Sequence, residues 1–419
     1  VGLNLTSFDA MLKTLYTQER VQNLSLNNHP FLDMINKDTN FSGRDKQIPL
    51  LYGRSKGRSR TFSKAQAISA SANSGVKSAA FYITRVKDYA LARVDGETIM
   101  AAKADLGAFA DAVDVEVKGA IKQIGTSLAH ALFRDGTGVI DGFAATADAT
   151  TATVELLNVD NEDFFEVGDY VAVYDASETA VVEAATLDEA RLVGVNRQTG
   201  ALTINDTSWN AAFGITIAVS TDKILWAGDG SGALTTTKLS GVEAYVPASD
   251  PDSTAFFGMD RSVDPQRLGG IRFDGSGYDL EDAYKRALTT AQKNGGSNHV
   301  IFVTHLDWMN LENALGTRAI RGSVRTEQNV GYPAIMVSGP KGNAPVVADE
   351  DAISGVPHIL DMNTWSLNST GKAPTFLSSI DGLKGLRVTD DDAVEFRIGY
   401  YAQVGNSAPG YNLRLTLPS

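Results

Sequence analysis

Few residues in this sequence have the chemistry to catalyse or to bind, and their spacing does not suit the reactions they usually serve. Five histidines, His29, His130, His299, His305 and His358, are scattered along 419 residues. His299 and His305 flank an apolar run, yet neither sits in a metal-ligand spacing such as HExxH, where two imidazoles one helical turn apart share a zinc ion. A lone histidine of this kind is read as structural or surface. There is no cysteine, which removes disulfides, zinc thiolates and thiol nucleophiles and makes a reducing assembly compartment the simplest setting. No GxSxG elbow presents a nucleophilic serine. Gly228-Asp229-Gly230-Ser231-Gly232 and the stretch from Gly270 to Gly277 are glycine-rich, but neither contains GxxxxGK[ST], or GxGxxG between a strand and a helix. The segment starting at Asp274-Gly275-Ser276 opens like a calcium loop, but its twelfth position is Lys285 where a bidentate glutamate is needed. The acidic runs Asp349-Glu350-Asp351 and Asp390-Asp391-Asp392 offer carboxylates to a cation, although turn and surface roles are the commoner use. The reading is a non-enzyme with no catalytic residue, no cofactor and no metal.

One cluster stands apart. Arg44, Lys46, Arg54, Lys56, Arg58, Arg60 and Lys64 face a single acid, Asp45, between positions 44 and 64. Three readings of this run stay open: a nucleic-acid contact that orders on binding, a projection docking on the acidic surface of an identical neighbour, and a solvated loop. The chain as a whole carries a formal net charge of −13. That argues against the entire molecule adhering to phosphate backbones, and suits a protein that lies near nucleic acid without sticking to it.

The elements that position this cluster follow from periodicity. Apolar residues are 43% and charged residues 21% of the chain, a folded globular composition long enough for two or three packed units. No apolar run reaches membrane-spanning length, and the N-terminus has no signal-peptide layout. The sequence starts at Val1, so an initiator methionine or a longer leader is expected to have been removed or left out. Residues 1–36 read as an arm in which Leu5, Phe8, Met11, Leu12, Leu15 and Tyr16 form the stripe of a short amphipathic helix, until Asn27-Asn28-His29-Pro30 breaks it. Residues 37–94 read as a protruding hairpin: strand-like Gln47–Gly53 and Phe81–Val86 enclose a long basic, small-residue connection that includes Phe62 and has too few apolar side chains for a core.

From Asp95 to Arg134, Leu106, Phe109, Val113, Val117, Ile121, Ile124, Leu128 and Leu132 step by three or four along one helix on the order of 50 Å long. Its first half is acidic and its second half basic, matching the helix dipole. Residues 144–226 carry short alternating runs, among them Tyr170–Tyr174, Ile215–Val219 and a hairpin with Gln198-Thr199-Gly200 at its tip. They read as a small inserted β-barrel or sandwich. Beyond 227 the pattern is α+β. Asp279 caps a helix that stops at Gly295-Gly296, a buried strand Val300–Val303 follows, Thr304 caps a second helix, and strands continue to the C-terminus. Residues 317–331, poor in apolar side chains, read as a mobile loop.

This order of arm, extended loop, long helix and α+β body resembles the major capsid proteins of tailed bacteriophages, the HK97-type fold. Pro30-Phe31-Leu32, Phe41-Ser42-Gly43, Ile48-Pro49-Leu50 and Gly57-Arg58-Ser59 to Ala65 are similar to the arm-to-loop passage of one capsid subfamily. Leu132 to Gly138 is similar to the turn ending its spine helix, and Leu268-Gly269-Gly270 through Trp308 to Leu311 to the start of its axial domain. The resemblance implies an N-terminal arm (1–36), an extended loop (37–94), a spine helix opening the peripheral domain (95–143), an inserted domain (144–226), an axial domain with peripheral segments (227–390), and C-terminal strands (391–419). It implies self-association into hexamers and pentamers of an icosahedral virion shell assembled in the host bacterial cytoplasm. Scaffold, portal and decoration proteins would be further partners, packaged DNA would lie nearby without specific binding, and no membrane is involved. Inter-subunit contacts would then fall on Arg44, Lys46, Arg54, Lys56, Arg58, Arg60, Phe62 and Lys64 of the loop and on Phe8, Leu12 and Leu15 of the arm. A nucleic-acid-binding protein using the basic loop, and a hydrolase whose acid pair converges only in space, are the readings from other classes.

Overall fold

The computed structural model describes residues 29–71, 75–95, 106–230, 232–325, 331–377, 385–388 and 392–418. The expected arm helix with Phe8, Leu12 and Leu15 lies outside them. The chain divides into two compact units, one formed by residues 1–129 with 245–419 and the other by 130–244.

The first described turn is α1 (Pro30–Met34), with proline at its start, where a missing N–H costs nothing. A short β1 (Asn36–Asp38) follows, then β2 (Asp45–Gly53), α2 (Phe62–Ser69) and β3 (Lys77–Thr84). β2 and β3 pair antiparallel from Asp45↔Thr84 to Gly53↔Lys77, as the two strand-like runs predict. β4 (Val86–Asp95) leads back, and α3 (Leu106–Phe133) is the long helix. Its 28 described residues extend about 42 Å, and Asp95, expected in the helix, instead ends β4. From Val117 onward the apolar stripe behaves as its spacing requires, with Val117, Ile121, Ile124, Leu128 and Leu132 all buried.

The second unit, residues 130–244, is wider than the composition change at 144–226 indicates, because Ile140 of β5 (Val139–Gly142) and Phe143 just after it already belong to its core. Strands β6 (Thr153–Glu155), β7 (Val171–Asp175), β8 (Ala180–Val182), β9 (Leu192–Asn196), β10 (Ala201–Ile204) and β11 (Lys223–Trp226) form two small sheets, ordered β6-β10-β9 and β5-β11-β7-β8. Between them lie Phe165, Val171, Val173, Leu202, Trp209 and Ile224. The β9–β10 hairpin turns at the expected tip, where Gly200 adopts φ +66°.

Ile215–Val219 is not a strand. The Asn210 side-chain oxygen accepts the Ile217 N–H at 2.9 Å and the Asp222 carboxylate accepts that of Ala218 at 2.8 Å, so side chains take donors that a neighbouring strand would otherwise receive.

The remaining strands return to the first unit. β12 (Ile271–Asp274), β13 (His299–Val303), β14 (Ile320–Arg325), β15 (Gly331–Gly339), β16 (Gly342–Ala348), β17 (His358–Asp361) and β22 (Leu413–Thr416) build a mixed seven-stranded sheet ordered β12-β22-β17-β13-β16-β15-β14. Ala283, Tyr284, Ala287, Leu288 and Ala291 of the helix Leu280–Asn294 pack on it. Asp279 and Thr304 precede their helices as expected, and the Thr304 hydroxyl accepts the Asp307 N–H at 3.2 Å. The 317–331 segment is no loop over 320–325. It is the edge strand of this sheet, polar because that edge faces solvent, with Arg321 held to Glu312 at 2.6 and 3.0 Å. A second sheet is organised by β21 (Ala393–Asn406), which pairs with β4, with β18 (Trp365–Ser369), β19 (Thr375–Phe376) and β20 (Gly385–Arg387).

The second unit holds one buried histidine. His130 stacks edge-on against Phe164 at 4.4 Å and accepts from Arg134 Nε at 3.1 Å. Burial first, and then the charges of Arg134 and Lys238, hold its imidazole well below the ordinary value of 6.5. The unfolded chain takes up that proton near pH 6.5 and the folded unit does not. Stability from this group is therefore complete above that pH and is lost below it, by up to about 1.4 kcal/mol per pH unit. The urea midpoint of the second unit is expected to fall between pH 7 and pH 5. His130→Gln, which keeps an acceptor for Arg134, is expected to flatten that slope in circular-dichroism titrations; an unchanged slope assigns it elsewhere.

Candidate functional site

The β2–β3 hairpin is built in two halves. Near its base Ile48, Leu50, Phe81 and Ile83 alternate inward and are buried. Phe81 meets the rings of Tyr245 and Phe256 edge-on, each at 5.7 Å, and the Tyr82 N–H donates to the Phe257 carbonyl at 3.0 Å. Gly405 of β21 allows the close seat: a Cβ there would lie 2.1 Å from Ile48 Cδ1. Beyond Leu50 the pattern stops. No described residue between 51 and 80 is buried, and α2 at the far end buries none of its eight residues. A helix this short has little stability of its own without a packed face.

Most of the candidate cations lie on this unsupported half. Arg54, Lys56, Arg58, Arg60 and Lys64 are exposed, as is Arg44 nearer the base, and among the described residues none of the six forms an ion pair. Between 51 and 80 there are six lysines and arginines and no acid, in a chain whose net charge is −13. Phe62 is 83% exposed and Leu51 79%. Large side chains left in water on a basic projection are the composition of a docking surface.

Lys46 is different. Its ammonium donates to Asp38 Oδ2 at 2.5 Å and to Asn368 Oδ1 at 2.6 Å, so it fastens the hairpin base to its own chain. The Lys46 hydrogen bond in turn holds the Asp38 carboxyl below its usual range. Seven cations that look equivalent in sequence thus divide into one internal tie and six outward charges.

Residues missed by the basic-run pattern extend the surface. On β4, Ala90, Ala92 and Val94 point inward while Tyr89 and Leu91, on the opposite face, are 46% and 56% exposed. Tyr89 leans on Tyr401 of β21, with hydroxyls 3.2 Å apart. The sequence signal is the run Tyr89-Ala90-Leu91-Ala92, apolar at every position, so that both faces of β4 carry apolar side chains at its middle. The histidines converge on no catalytic set among the described residues. His299 Nε2 donates to the Tyr411 carbonyl at 3.2 Å, and His305 opens an exposed helix turn. No helix among the described residues is long and apolar enough to cross a membrane.

The exposed cationic half predicts where a protease enters. Limited trypsin digestion of the unassembled chain is expected to cut first within Arg54–Lys64 rather than elsewhere in 75–325, since that segment lacks buried contacts. Phe81→Ala, which should cost about 3–5 kcal/mol at the hairpin base, is expected to speed that cleavage. Mass spectrometry of the first fragments reads the outcome, and initial cuts in the sheet domain would contradict it.

No family model and no curated protein matches the sequence. Solved structures do. A chain of the cyanophage A-1(L) capsid asymmetric unit aligns over 94% of this chain and 93% of its own with TM-score 0.50 and 12% identity. The capsid of the native GTA particle follows, at TM-score 0.43 and 9% identity over 94% and 90% of the two chains. Mycobacterium phage Adephagia gives 0.39 and 13% over 98% and 97%.

Proposed function

We propose that this chain, whose α+β fold is the HK97-type fold of phage capsid proteins, is the major capsid protein that builds the icosahedral head of a tailed phage around packaged double-stranded DNA. The carrying observation is the match to a capsid chain across nearly the whole of both chains. The hairpin adds physical support, because a projection with no core of its own needs a second surface to cover Leu51, Phe62 and the outer face of β4.

Assembly then follows from symmetry. Identical chains make heterologous contacts that close into hexamers and pentamers and, through these, into a shell. The hairpin of one subunit lies over its neighbour, with Phe62 and Leu51 supplying apolar contact and Arg54, Lys56, Arg58, Arg60 and Lys64 meeting acidic side chains of a molecule that is strongly acidic overall. Charge pairing of this sort sets register and partner choice more than raw affinity. Residues 1–36 act as the arm, 37–94 as the extended loop and α3 as the spine helix. Scaffold, portal and decoration proteins would join the assembly in the host cytoplasm.

The exposed cations also favour a second reading, in which the same loop binds nucleic acid. One experiment separates the two. The triple variant Arg54→Glu, Arg58→Glu and Arg60→Glu is expected to remain folded by circular dichroism but to give no shells in negative-stain electron micrographs, while the parent chain gives uniform particles. Normal shells from the variant would overturn the hairpin contact. A parent chain that stays monomeric and binds duplex DNA with a steep salt dependence would favour the second reading.

A further inference from the structure

A buried carboxylate cluster lies away from the hairpin, where α1 meets the turn after β16. The Asp349 side chain accepts the Phe31 N–H at 3.0 Å and the Asp351 N–H at 3.1 Å, which draws the two segments together across more than 300 residues of sequence. His29 Nδ1 lies 2.7 Å from Asp351 Oδ2. The ligand atoms of His29, Asp349 and Asp351 all fall within 4.8 Å of one another, and all three side chains are buried, the two aspartates to 1% exposure. Asp33 sits one helical turn beyond His29, is 8% exposed, and hydrogen-bonds through neither carboxylate oxygen. Asp351 Oδ1 also lacks a partner. Tyr332 reports the same neighbourhood: its hydroxyl is pushed up to about 12 by burial and then by the charges of Asp33 and Asp349.

Two buried carboxyl groups against one imidazole, and no lysine or arginine paired to them among the described residues, leave negative charge uncompensated. Water cannot screen it there, since Phe31, fully buried against Phe302 and Trp365, walls one side. Orphaned carboxylate oxygens in such a place need either protons or a cation. Donors around one six-coordinate ion at about 2.1–2.2 Å stand about 3–4.4 Å apart, so the present spread needs only a small contraction.

We propose that His29, Asp349 and Asp351 form a binding site for one divalent cation that takes mixed imidazole and carboxylate ligands, with Mn2+ as the fitting probe. Carboxylates suit Mn2+, Mg2+ and Ca2+, and imidazole brings in the transition metals. On binding, His29 Nδ1 exchanges its bond to Asp351 for the ion and releases the proton it shares there. The ion ties His29, just before α1, to the turn between β16 and β17.

The test uses the purified full-length chain stripped with EDTA and titrated with MnCl2 at pH 7.5, free Mn2+ being read by electron paramagnetic resonance. One saturable Mn2+ per chain is expected, with a rise in melting temperature. Asp351→Asn is expected to fold and to weaken binding about 10–100-fold, whereas Asp163→Asn, a change at an exposed ion pair far along the chain, leaves it unaltered. Displacement of the bound Mn2+ by Mg2+, Ca2+ or Zn2+ in the wild-type chain alone supports the same site. Absence of saturable binding in the wild-type chain, or equal binding in Asp351→Asn, overturns the proposal and leaves a proton on Asp349, which burial and the Asp351 charge favour, as what neutralises the cluster.

Discussion

A line of aromatic rings joins the parts of the first unit. Phe302 of the seven-stranded sheet meets Phe31 at 5.1 Å, Phe31 meets Trp365 of the second sheet at 6.0 Å, Trp365 meets Tyr245 at 5.5 Å, and Tyr245 meets Phe81 of the hairpin at 5.7 Å. Each contact is worth about 0.5–1.5 kcal/mol beyond the area it buries. Their order matters more than their sum. The two sheets, the first described turn and the projecting hairpin have separate backbone ladders, and these rings are where their side chains meet. Tyr245 also donates its hydroxyl to the Val404 carbonyl at 2.9 Å, so the line is pinned to β21 at its middle.

β21 gives the hairpin its return path. It pairs with β4 from Ala393↔Asp95 to Ala402↔Val86, and with β18 from Ser369↔Ala402 to Trp365↔Asn406. The strand that leads out of the hairpin is therefore held in a sheet, while beyond Leu50 the described residues of the hairpin bury no side chain and a bond from Arg267 to the Tyr52 carbonyl lies at the start of that half. Rigid base and uncovered end are what a subunit needs if its projection is to find a neighbour in one orientation. The proposed shell function uses this division, and the internal bond of Lys46 to Asp38 and Asn368 belongs to the base, not to the contact.

Electrostatics follows the same split. Cations without acids occupy the projection, while the body carries the excess of carboxylates. Where carboxylates gather in the interior, at Asp349 and Asp351, the described residues supply the His29 imidazole against them.

By itself the sequence determined the elements whose side-chain period is regular. Val117, Ile121, Ile124, Leu128 and Leu132 are buried along one helix, the β2 and β3 runs pair, the 192–204 hairpin turns at Gly200, and the sparse apolar residues between 51 and 80 give a segment without a core. Each is a local property, because burial of one face imposes a period of 3.6 or 2 on neighbouring residues. The tertiary structure alone decided the rest. It made 320–325 an edge strand although its composition is that of a loop, and gave the donors of Ile217 and Ala218 to side chains instead of a strand. It set Lys46 apart from the other cations and brought His29 to Asp351 across 322 residues. Those outcomes depend on which strands become neighbours, and strand order is set by the packing of the whole sheet, which leaves no period in the local sequence.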